Sequence, residues 1–325
     1  MQYLCKDFYA IGNRMNKPDT TNTLTQTVRK LSEQGALKGL CHHHRDGSPL
    51  PSGKVLEEIV QLVRAIVFPG YFGHSSVNTR TIEYYIGVNV ERLHKLLTDQ
   101  VTAGLCFTGE DTDGCDDNTT DNTQKLAETA HKAQQIATQV VAKLPELRRM
   151  LATDVEAAYH GDPAAKNYGE IISCYPVIKA LANYRFAHEL LVAGVPLIPR
   201  MLTEMAHSET GIDIHPGATI GHHFTIDHGT GVVIGATCII GNNVMLYQGV
   251  TLGAKNFTLD ESGHPIDLPR HPIIEDNVTI YSNSSVLGRI TIGHDTVIGG
   301  NVWVTHDVPP HSRLLQHKAA TEREG

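Results

Sequence analysis

Several imidazole, carboxylate and guanidinium side chains stand where they could do chemistry. The chain contains 19 histidines; among them, His228 directly follows Asp227 and His271 directly follows Arg270. A neutral imidazole can take a proton from a weak nucleophile near pH 7, because its unperturbed pKa is about 6.5. A guanidinium can bind a carboxylate through two parallel hydrogen bonds. These two pairs are therefore the first candidates for a catalytic or binding site.

A second histidine-rich segment is the run Cys41-His42-His43-His44. Zinc sites use ligands at spaced positions, and consecutive residues cannot easily converge on one ion. The six cysteines are Cys5, Cys41, Cys106, Cys115, Cys174 and Cys238. Their scatter over a long chain fits reduced thiols better than a disulfide framework. We therefore predict a solvated loop at residues 41–44 and no bound metal.

The pattern that must position the candidate residues begins at about residue 211. An aliphatic residue recurs every six positions from Ile214 to Leu252 and again from Ile274 to Val304. This period matches neither a helix nor an alternating strand, and it is the signature of a parallel β-helix. Short strands and turns then close triangular coils around one aliphatic core. Glycine often follows the aliphatic residue, and we expect it to supply turns with positive φ.

Two irregularities interrupt the repeat close to the candidate pairs. Near His228, two consecutive aliphatic positions are eight residues apart, so two extra residues bulge out. Further on the spacing is 22 residues, so residues 254–272 form an extruded loop that ends with Arg270 and His271. Insertions in a rigid scaffold commonly carry binding and catalysis.

The chain before the repeats has helical character. Apolar residues recur at helical spacing over residues 55–68 and 81–97, and further helices are expected up to residue 205. Residues before these read as irregular, with one short helix near residues 25–34. We predict an irregular extension (1–54), a helical domain (55–210), a β-helix (211–312) and a C-terminal tail (313–325).

Composition excludes several classes of protein. The 325 residues are 41% hydrophobic and 19% charged, which excludes bulk disorder. A net charge of -8 has the wrong sign for a protein that binds nucleic-acid backbone. No run reaches the roughly 18 apolar residues of a membrane span, and the N-terminus lacks the apolar core of a signal peptide. We expect no nucleic acid, no membrane partner and a cytoplasmic location.

The repeats and their flanking motifs resemble the serine O-acetyltransferases, a family of hexapeptide-repeat acyltransferases. The resemblance is carried by residues 213–221 (DIHPGATIG), 226–235 (IDHGTGVVIG) and 247–253 (YQGVTLG), by Arg270-His271-Pro272, and by Asp162-Pro163, Tyr184-Arg185 and His188 in the helical region. It covers roughly residues 145–312 and extends loosely to the whole chain, which resembles a long bacterial form. It implies a helical N-terminal domain followed by a left-handed parallel β-helix. It also implies acetyl transfer from acetyl-CoA to the hydroxyl of L-serine, in cysteine biosynthesis.

The same resemblance implies roles for individual residues. His228 matches the catalytic base, and Asp213 matches the carboxylate that orients it. Asp162 and Asp227 match the acids that hold serine, and Arg270 with His271 completes the substrate pocket. Contacts to the coenzyme are expected at Gly253, Ala254, Ser282 and Gly300. We expect direct attack in a ternary complex, with acetyl-CoA as cosubstrate and no metal.

Assembly and partners are also implied by the resemblance. The family forms trimers with active sites between adjacent prisms, so a homotrimer or a dimer of trimers is expected. L-Cysteine is expected as a feedback inhibitor. Many relatives insert a C-terminal isoleucine into cysteine synthase, whereas this chain ends with residues 318–325 (KAATEREG). We therefore expect weak or absent cysteine synthase binding by that route.

Other functions stay open at the level of sequence. The chain could be another hexapeptide acyltransferase, acting on a small amine or alcohol, although the paired acids and Arg270 favour an amino acid. It could be a metal hydratase resembling the γ-type carbonic anhydrases, with histidine ligands between subunits. A non-catalytic scaffold is disfavoured, because it need not retain Asp213 and His228.

Overall fold

The computed structural model describes residues 20–33, 50–73, 76–107, 119–256, 259–264 and 266–316. Contacts divide the chain into two units, residues 1–47 and 48–325. The described residues of the first unit form one helix, α1 (Thr20–Ser32), which covers most of the short helix expected there. The run at residues 41–44 lies outside the described residues.

Seven helices precede the strands in the described part of the larger unit. They are α2 (Gly53–Val67), α3 (Ile82–Phe107), α4 (Thr119–Ala142), α5 (Leu144–Gly161), α6 (Tyr168–Cys174), α7 (Pro176–Val192) and α8 (Ile198–Thr210). Local sequence explains several of their ends. Ser52 caps α2 by accepting a hydrogen bond from the Val55 N–H at 3.4 Å. Gly211, with φ 73°, ends α8 in the left-handed conformation. None of the described helices is long and apolar enough to cross a membrane.

Fourteen short strands follow in the described residues. They are β1 (Ile212–Ile214), β2 (Thr219–Ile220), β3 (Thr225–Asp227), β4 (Val232–Ile234), β5 (Ile239–Ile240), β6 (Met245–Tyr247), β7 (Thr251–Gly253), β8 (Ile273–Ile274), β9 (Thr279–Ile280), β10 (Ser285–Leu287), β11 (Thr291–Ile292), β12 (Val297–Ile298), β13 (Trp303–Val304) and β14 (Arg313–Leu314). Their parallel pairing gives three sheets. The first has the order β1-β4-β7-β10-β13, the second β2-β5-β8-β11, and the third β3-β6-β9-β12-β14. Strands β1 to β13 thus occupy the three walls of a triangular prism in turn, and β14 lies in the third wall.

The aliphatic positions of the repeat form the core of this prism. Ile214, Ile234, Leu252, Val286 and Val304 stack along the first sheet, and each is at most 2% exposed. The extruded segment at residues 254–272 leaves between β7 and β8. The prism continues to β14, which pairs with β12, so pairing extends beyond residue 312, where the tail was expected to begin.

The glycines of the repeat serve a different purpose from the one expected. Gly221, Gly241 and Gly293 are not among the residues with positive φ, which at these corners are polar residues such as Asn243 and Asn277. The glycines are needed because the next coil approaches closely. A Cβ added at Gly221 would lie 2.7 Å from the carbonyl oxygen of Gly241. The turn expectation was therefore wrong for these glycines, and close stacking between coils is the physical reason.

Two helices are fixed to the prism by a buried ion pair. Arg185 of α7 binds both carboxylate oxygens of Asp154 of α5, at 2.7 and 2.8 Å. The same guanidinium donates to the carbonyl oxygens of Ile220 and Gly221, at 3.2 and 2.8 Å. Because α5 is held against the prism in this way, its C-terminal end reaches β3, and this contact positions Asp162.

Candidate active site

The first group of candidate residues lies where α5 ends beside β3. Asp162 is the C-cap residue of α5, and it accepts hydrogen bonds from the Tyr175 hydroxyl and from the Ala164 N–H. These two bonds lower the pKa of the Asp162 carboxyl, and the charge of His228 lowers it further. Asp227 is the last residue of β3, and its Oδ2 lies 3.8 Å from Nε2 of His228. We call Asp162, Tyr175, Asp227 and His228 the Asp162 cluster.

His228 projects from an irregular corner, as the repeat spacing predicts. Asp213 pairs with Val233, 20 residues further on, whereas Val233 pairs with Thr251 after only 18. The two extra residues lie between β3 and β4, where His228 has a φ of 58° and its side chain is 73% exposed. Gly229 follows with φ 91°, and a Cβ there would lie 2.5 Å from Ile212 Cδ1. Only glycine fits this position, so the bulge that presents the imidazole is encoded locally.

The second group of candidate residues lies around the corner between the first and second sheets. The backbone N–H groups of Arg270 and His271 donate to Thr237 Oγ1 at this corner. Asp213, on β1, lies 3.5 Å from Nη1 of Arg200 in α8. His215 follows β1, and burial and then the charge of Arg200 lower its pKa. We call Asp213, His215, Arg270 and His271 the His271 cluster.

The guanidinium of Arg270 is the feature of this cluster that suits an anionic ligand. Burial, followed by the charge of Arg270, lowers the pKa of His271 to about 4. Arg270 donates from Nη1 to Asp267 at 2.9 Å, but its Nε is buried without a hydrogen-bond partner in the described part of the chain. A buried donor that no protein group satisfies is costly, so a ligand oxygen at this position would be favoured.

Within one chain the two clusters occupy opposite edges of the first sheet. The connection from β3 to β4 carries His228, and the connection from β4 to β5 carries Thr237, to which Arg270 and His271 are bound. Among the described residues, the ion pair of His228 is made with Asp227 and not with Asp213. The structure therefore does not bring the predicted base and its predicted orienting carboxylate into contact within one protomer.

The expected coenzyme residues divide between the same two edges. Ser282 and Gly300 lie on later coils of the corner that carries His228, and a Cβ added at Gly300 would lie 3.2 Å from the Ser282 carbonyl oxygen. Gly253 ends β7 at the other corner, and Ala254 begins the extruded segment there. Each edge thus combines candidate serine-binding groups with candidate coenzyme-binding groups.

Several residues of the site gave no signal in the sequence. Tyr175 reaches Asp162 from the junction between α6 and α7, and Arg200 reaches Asp213. Arg289 donates from Nη1 to the carbonyl oxygens of Thr237 and His271, at 2.7 and 3.0 Å. Such contacts depend on tertiary packing, and no spacing in the sequence indicates them.

Two groups of side chains in the described residues have a geometry that could hold a metal ion. One is Glu204, His207 and Asp213, and the other is His294, Asp295 and His311. In the first, Arg200 already pairs with Asp213 and with Glu204. The second consists of three exposed residues and lies outside both clusters. The Asp162 cluster itself contains no such group.

Comparisons with known proteins agree with this fold. A family model described as bacterial transferase hexapeptide (six repeats) matches residues 271–306, so the prism is that of a hexapeptide-repeat transferase. A plasmid-encoded serine acetyltransferase of Synechococcus elongatus is 46% identical over 296 residues, which are 90% of each chain. The chain belongs to the serine acetyltransferase family. The resemblance and the fold class inferred from the sequence are thereby confirmed.

Two further relatives define how far the similarity extends. The serine acetyltransferase of Bacillus subtilis is 45% identical over 167 residues, which are 51% of this chain and 73% of that protein. The crystal structure of Entamoeba histolytica serine acetyltransferase 1 in complex with L-cysteine has a TM-score of 0.66 and 35% identity, covering 90% of this chain and 96% of that one. The similarity to the Entamoeba protein therefore includes the helical region as well as the prism.

Proposed function

We propose that this protein transfers the acetyl group of acetyl-CoA to the hydroxyl of L-serine, giving O-acetyl-L-serine and CoA. Family membership over 90% of the chain supports the reaction class. The observation that carries the assignment is the His228 imidazole, which is displaced from the prism wall and lies beside Asp227 and within electrostatic reach of Asp162. An exposed imidazole next to two carboxylates suits deprotonation of a hydroxyl on a substrate that carries an ammonium group.

Serine binding uses charges of both signs. The carboxylates of Asp162 and Asp227 bind the ammonium group, and the hydrogen bond from Tyr175 stabilises the ionised form of Asp162 and lowers its pKa. The guanidinium of Arg270 binds the serine carboxylate, which satisfies its unpartnered Nε. An amino sugar or a simple alcohol carries no carboxylate to accept from the unpartnered Nε, so the site favours an amino acid.

The chemical step is a direct transfer within a ternary complex. His228 takes the hydroxyl proton as the serine oxygen attacks the thioester carbonyl carbon. The tetrahedral oxyanion collapses, the carbon–sulfur bond breaks, and the CoA sulfur leaves with the proton returned by the imidazolium. The thioester is already activated, so the step needs aimed hydrogen-bond donors rather than a metal. An acetylated residue trapped under single-turnover conditions would overturn this scheme.

In this proposal, each active site is built from two protomers. The Asp162 cluster and the His271 cluster lie at opposite edges of the first sheet, so neighbouring prisms in a homotrimer, alone or as a dimer of trimers, would bring one of each together. The same arrangement would allow Asp213 to contact His228 of an adjacent protomer. The proposed coenzyme contacts Gly253, Ala254, Ser282 and Gly300 divide in the same way.

The proposed regulation follows from the chemistry of the serine site. The Entamoeba relative was solved in complex with L-cysteine, and a soybean serine acetyltransferase, 26% identical with a TM-score of 0.51, was solved with serine. L-Cysteine has the same ammonium and carboxylate as serine, so Asp162, Asp227 and Arg270 would bind it equally well. We expect it to compete with L-serine. Residues 317–325 lie outside the described residues, and weak binding of cysteine synthase stays a prediction.

The proposal is tested by a thiol-release assay with L-serine and acetyl-CoA. Replacing the proposed base, His228→Ala, should lower kcat by about 10²- to 10⁴-fold, the usual contribution of general-base catalysis. His264→Ala is the matched control, because His264 also has a highly exposed side chain and pairs only loosely with Asp260, at 3.9 Å. Equal activity of the two variants would remove His228 from the mechanism. Release of thiol with other small amines or alcohols, but not with L-serine, would refute the substrate.

A further inference from the structure

The hydrogen bonds around Thr237 determine which nitrogen of His271 carries the ring proton. Nδ1 of His271 accepts from the backbone N–H of Thr237 at 3.2 Å and lies 2.9 Å from Thr237 Oγ1. That hydroxyl oxygen itself accepts from the backbone N–H groups of Arg270, at 2.9 Å, and of His271, at 3.1 Å. Its two lone pairs are therefore occupied, and its single hydrogen is left to point at Nδ1. Because both neighbours donate to Nδ1, the ring proton resides on Nε2.

The surroundings hold the ring in this orientation. His271 is only 8% exposed, and it packs so closely on Gly235 that a Cβ there would lie 2.0 Å from Cδ2 of the ring. Arg289 fixes the backbone on both sides through the carbonyl oxygens of Thr237 and His271. Nε2 donates to no residue in the described part of the chain, and it is not among the buried polar atoms without a partner. Its N–H is therefore available to a ligand.

Electrostatics keep the ring neutral in this tautomer. Burial and the neighbouring charge of Arg270 depress the pKa of His271 to about 4, well below the pH at which the enzyme would work. A neutral imidazole protonated at Nε2 donates one hydrogen bond from that atom and cannot accept a proton there. His215 has the same arrangement, because its Nδ1 accepts from the Gly217 N–H at 3.0 Å. The corner thus presents imidazole donors rather than bases.

We propose that Thr237 is a positioning residue that fixes His271 as the Nε2–H tautomer, so that His271 donates a hydrogen bond to an anionic oxygen during acetyl transfer. This inference rests on the proposed function. It assigns different roles to His228 and His271. His228, with its ring exposed beside two carboxylates, is the proton acceptor. His271, with its Nδ1 occupied, is a donor. The anionic oxygen is either the serine carboxylate, bound in the ground state, or the oxyanion that develops at the thioester carbonyl.

The test compares Thr237→Val with Thr237→Ser in the full-length enzyme. Valine keeps the shape of the side chain but removes the hydroxyl, which is one of the two donors to Nδ1 and the acceptor for two backbone N–H groups. We expect kcat/KM to fall by about ten- to a hundredfold, as for loss of one or two buried hydrogen bonds, and Thr237→Ser to recover most of it. A rise in KM for L-serine alone would identify the carboxylate as the acceptor, and a fall in kcat would identify the oxyanion. Thr296→Val is the control, because Thr296 is a fully buried prism threonine whose hydroxyl binds Pro309 and Ser312 away from both clusters.

A spectroscopic measurement reads the tautomer directly, whatever the activity. In protein labelled with ¹⁵N-histidine, the His271 ring, identified by its loss in His271→Gln, should show an unprotonated Nδ1 and a protonated Nε2 at pH 7. A protonated Nδ1 in the parent protein, or equal kcat/KM for Thr237→Val and Thr296→Val, would overturn the inference. Failure of the proposed function would be seen separately, as absence of serine-dependent thiol release in the parent.

Discussion

The hydroxyl of Tyr175 donates a hydrogen bond to Oδ2 of Asp162, across the short segment that joins α5 to α7. The bond stabilises the ionised carboxylate, which lowers the pKa of Asp162 and raises that of Tyr175 to about 12. The carboxyl of Asp162 is an anion throughout the neutral pH range, and the lowered pKa extends its ionised form to lower pH. An ionised carboxylate suits the role proposed for Asp162, which is to bind the serine ammonium group.

We therefore predict that Tyr175→Phe weakens serine binding without removing the base. The KM for L-serine should rise by about 3- to 10-fold, the effect of one hydrogen bond to a charged group, while kcat changes little. Steady-state kinetics at saturating acetyl-CoA measure this. Tyr168→Phe is the control, since Tyr168 is exposed and packs on Tyr159 with ring centroids 4.8 Å apart. A fall in kcat at unchanged KM would show that Tyr175 acts on the chemical step instead.

The separation of the two clusters within one chain predicts complementation between inactive variants. His228→Ala disables the Asp162 cluster, and Arg270→Ala disables the His271 cluster, so each alone should be nearly inactive. If a site combines one cluster from each of two protomers, mixed trimers contain some sites with both clusters intact. After unfolding and refolding together in equal amounts, about one quarter of the sites should be intact by random assortment.

Activity in the thiol-release assay should therefore recover to about a quarter of the parent value. The control mixes His228→Ala with Asp227→Ala, two changes in the same cluster, and should recover nothing. Equal failure of both mixtures, with mixed trimers demonstrated by mass spectrometry, would refute a site that combines clusters from two protomers.

How much of this the sequence could predict depends on the range of the interactions. The six-residue period fixes the three walls of the prism, because stacking of aliphatic side chains between coils dictates it. The bulge at His228 follows from the same arithmetic, since a coil of 20 residues cannot match one of 18 without an outward excursion. These features are local or periodic, and they are visible without a structure.

The contacts that tune the site were beyond the sequence for a physical reason. Thr237 lies 34 residues before His271 and meets it only because an extruded segment returns to the prism. Tyr175 meets Asp162 only because α7 and α5 are both fixed on the prism. The number of residues between Asp213 and His228 also could not show whether they are in contact. Residues of one coil lie on three different walls of the prism, so a short separation in sequence does not bring their side chains together. The resemblance to a known family indicated which residues could form the site, whereas the structure was needed to find the residues that they contact.

The buried pair Arg185–Asp154 predicts a large effect on stability. Asp154 is fully buried, and it also accepts from the Phe224 N–H at 3.2 Å. Removing this carboxylate leaves an unpaired guanidinium in the interior, so Asp154→Ala should cost about 3–5 kcal/mol in free energy of unfolding. Urea denaturation at fixed protein concentration measures this. Glu58→Ala is the matched control, because Glu58 and Arg92 form an exposed pair that should contribute about 0–1 kcal/mol. Similar losses for the two variants would show that the helices do not depend on this pair.

The depressed pKa of His271 predicts how stability depends on pH. Its pKa is about 4 in the folded protein and near the ordinary 6.5 in the unfolded chain, because unfolding removes the burial and the nearby charges of Arg270, His215 and Arg289, which Asp267 only partly offsets. Between these values the unfolded chain binds a proton that the native protein does not. The free energy of unfolding should therefore fall as the pH falls from 6.5 towards 4.

In His271→Gln this contribution is absent, so the stability of the parent relative to the variant should decrease over that interval and stay constant above it. Urea midpoints at a series of pH values give the comparison, with His264→Gln at an exposed histidine as the control. Parallel curves for the parent and His271→Gln across the interval would mean that the imidazole titrates as freely in the folded protein as in the unfolded chain.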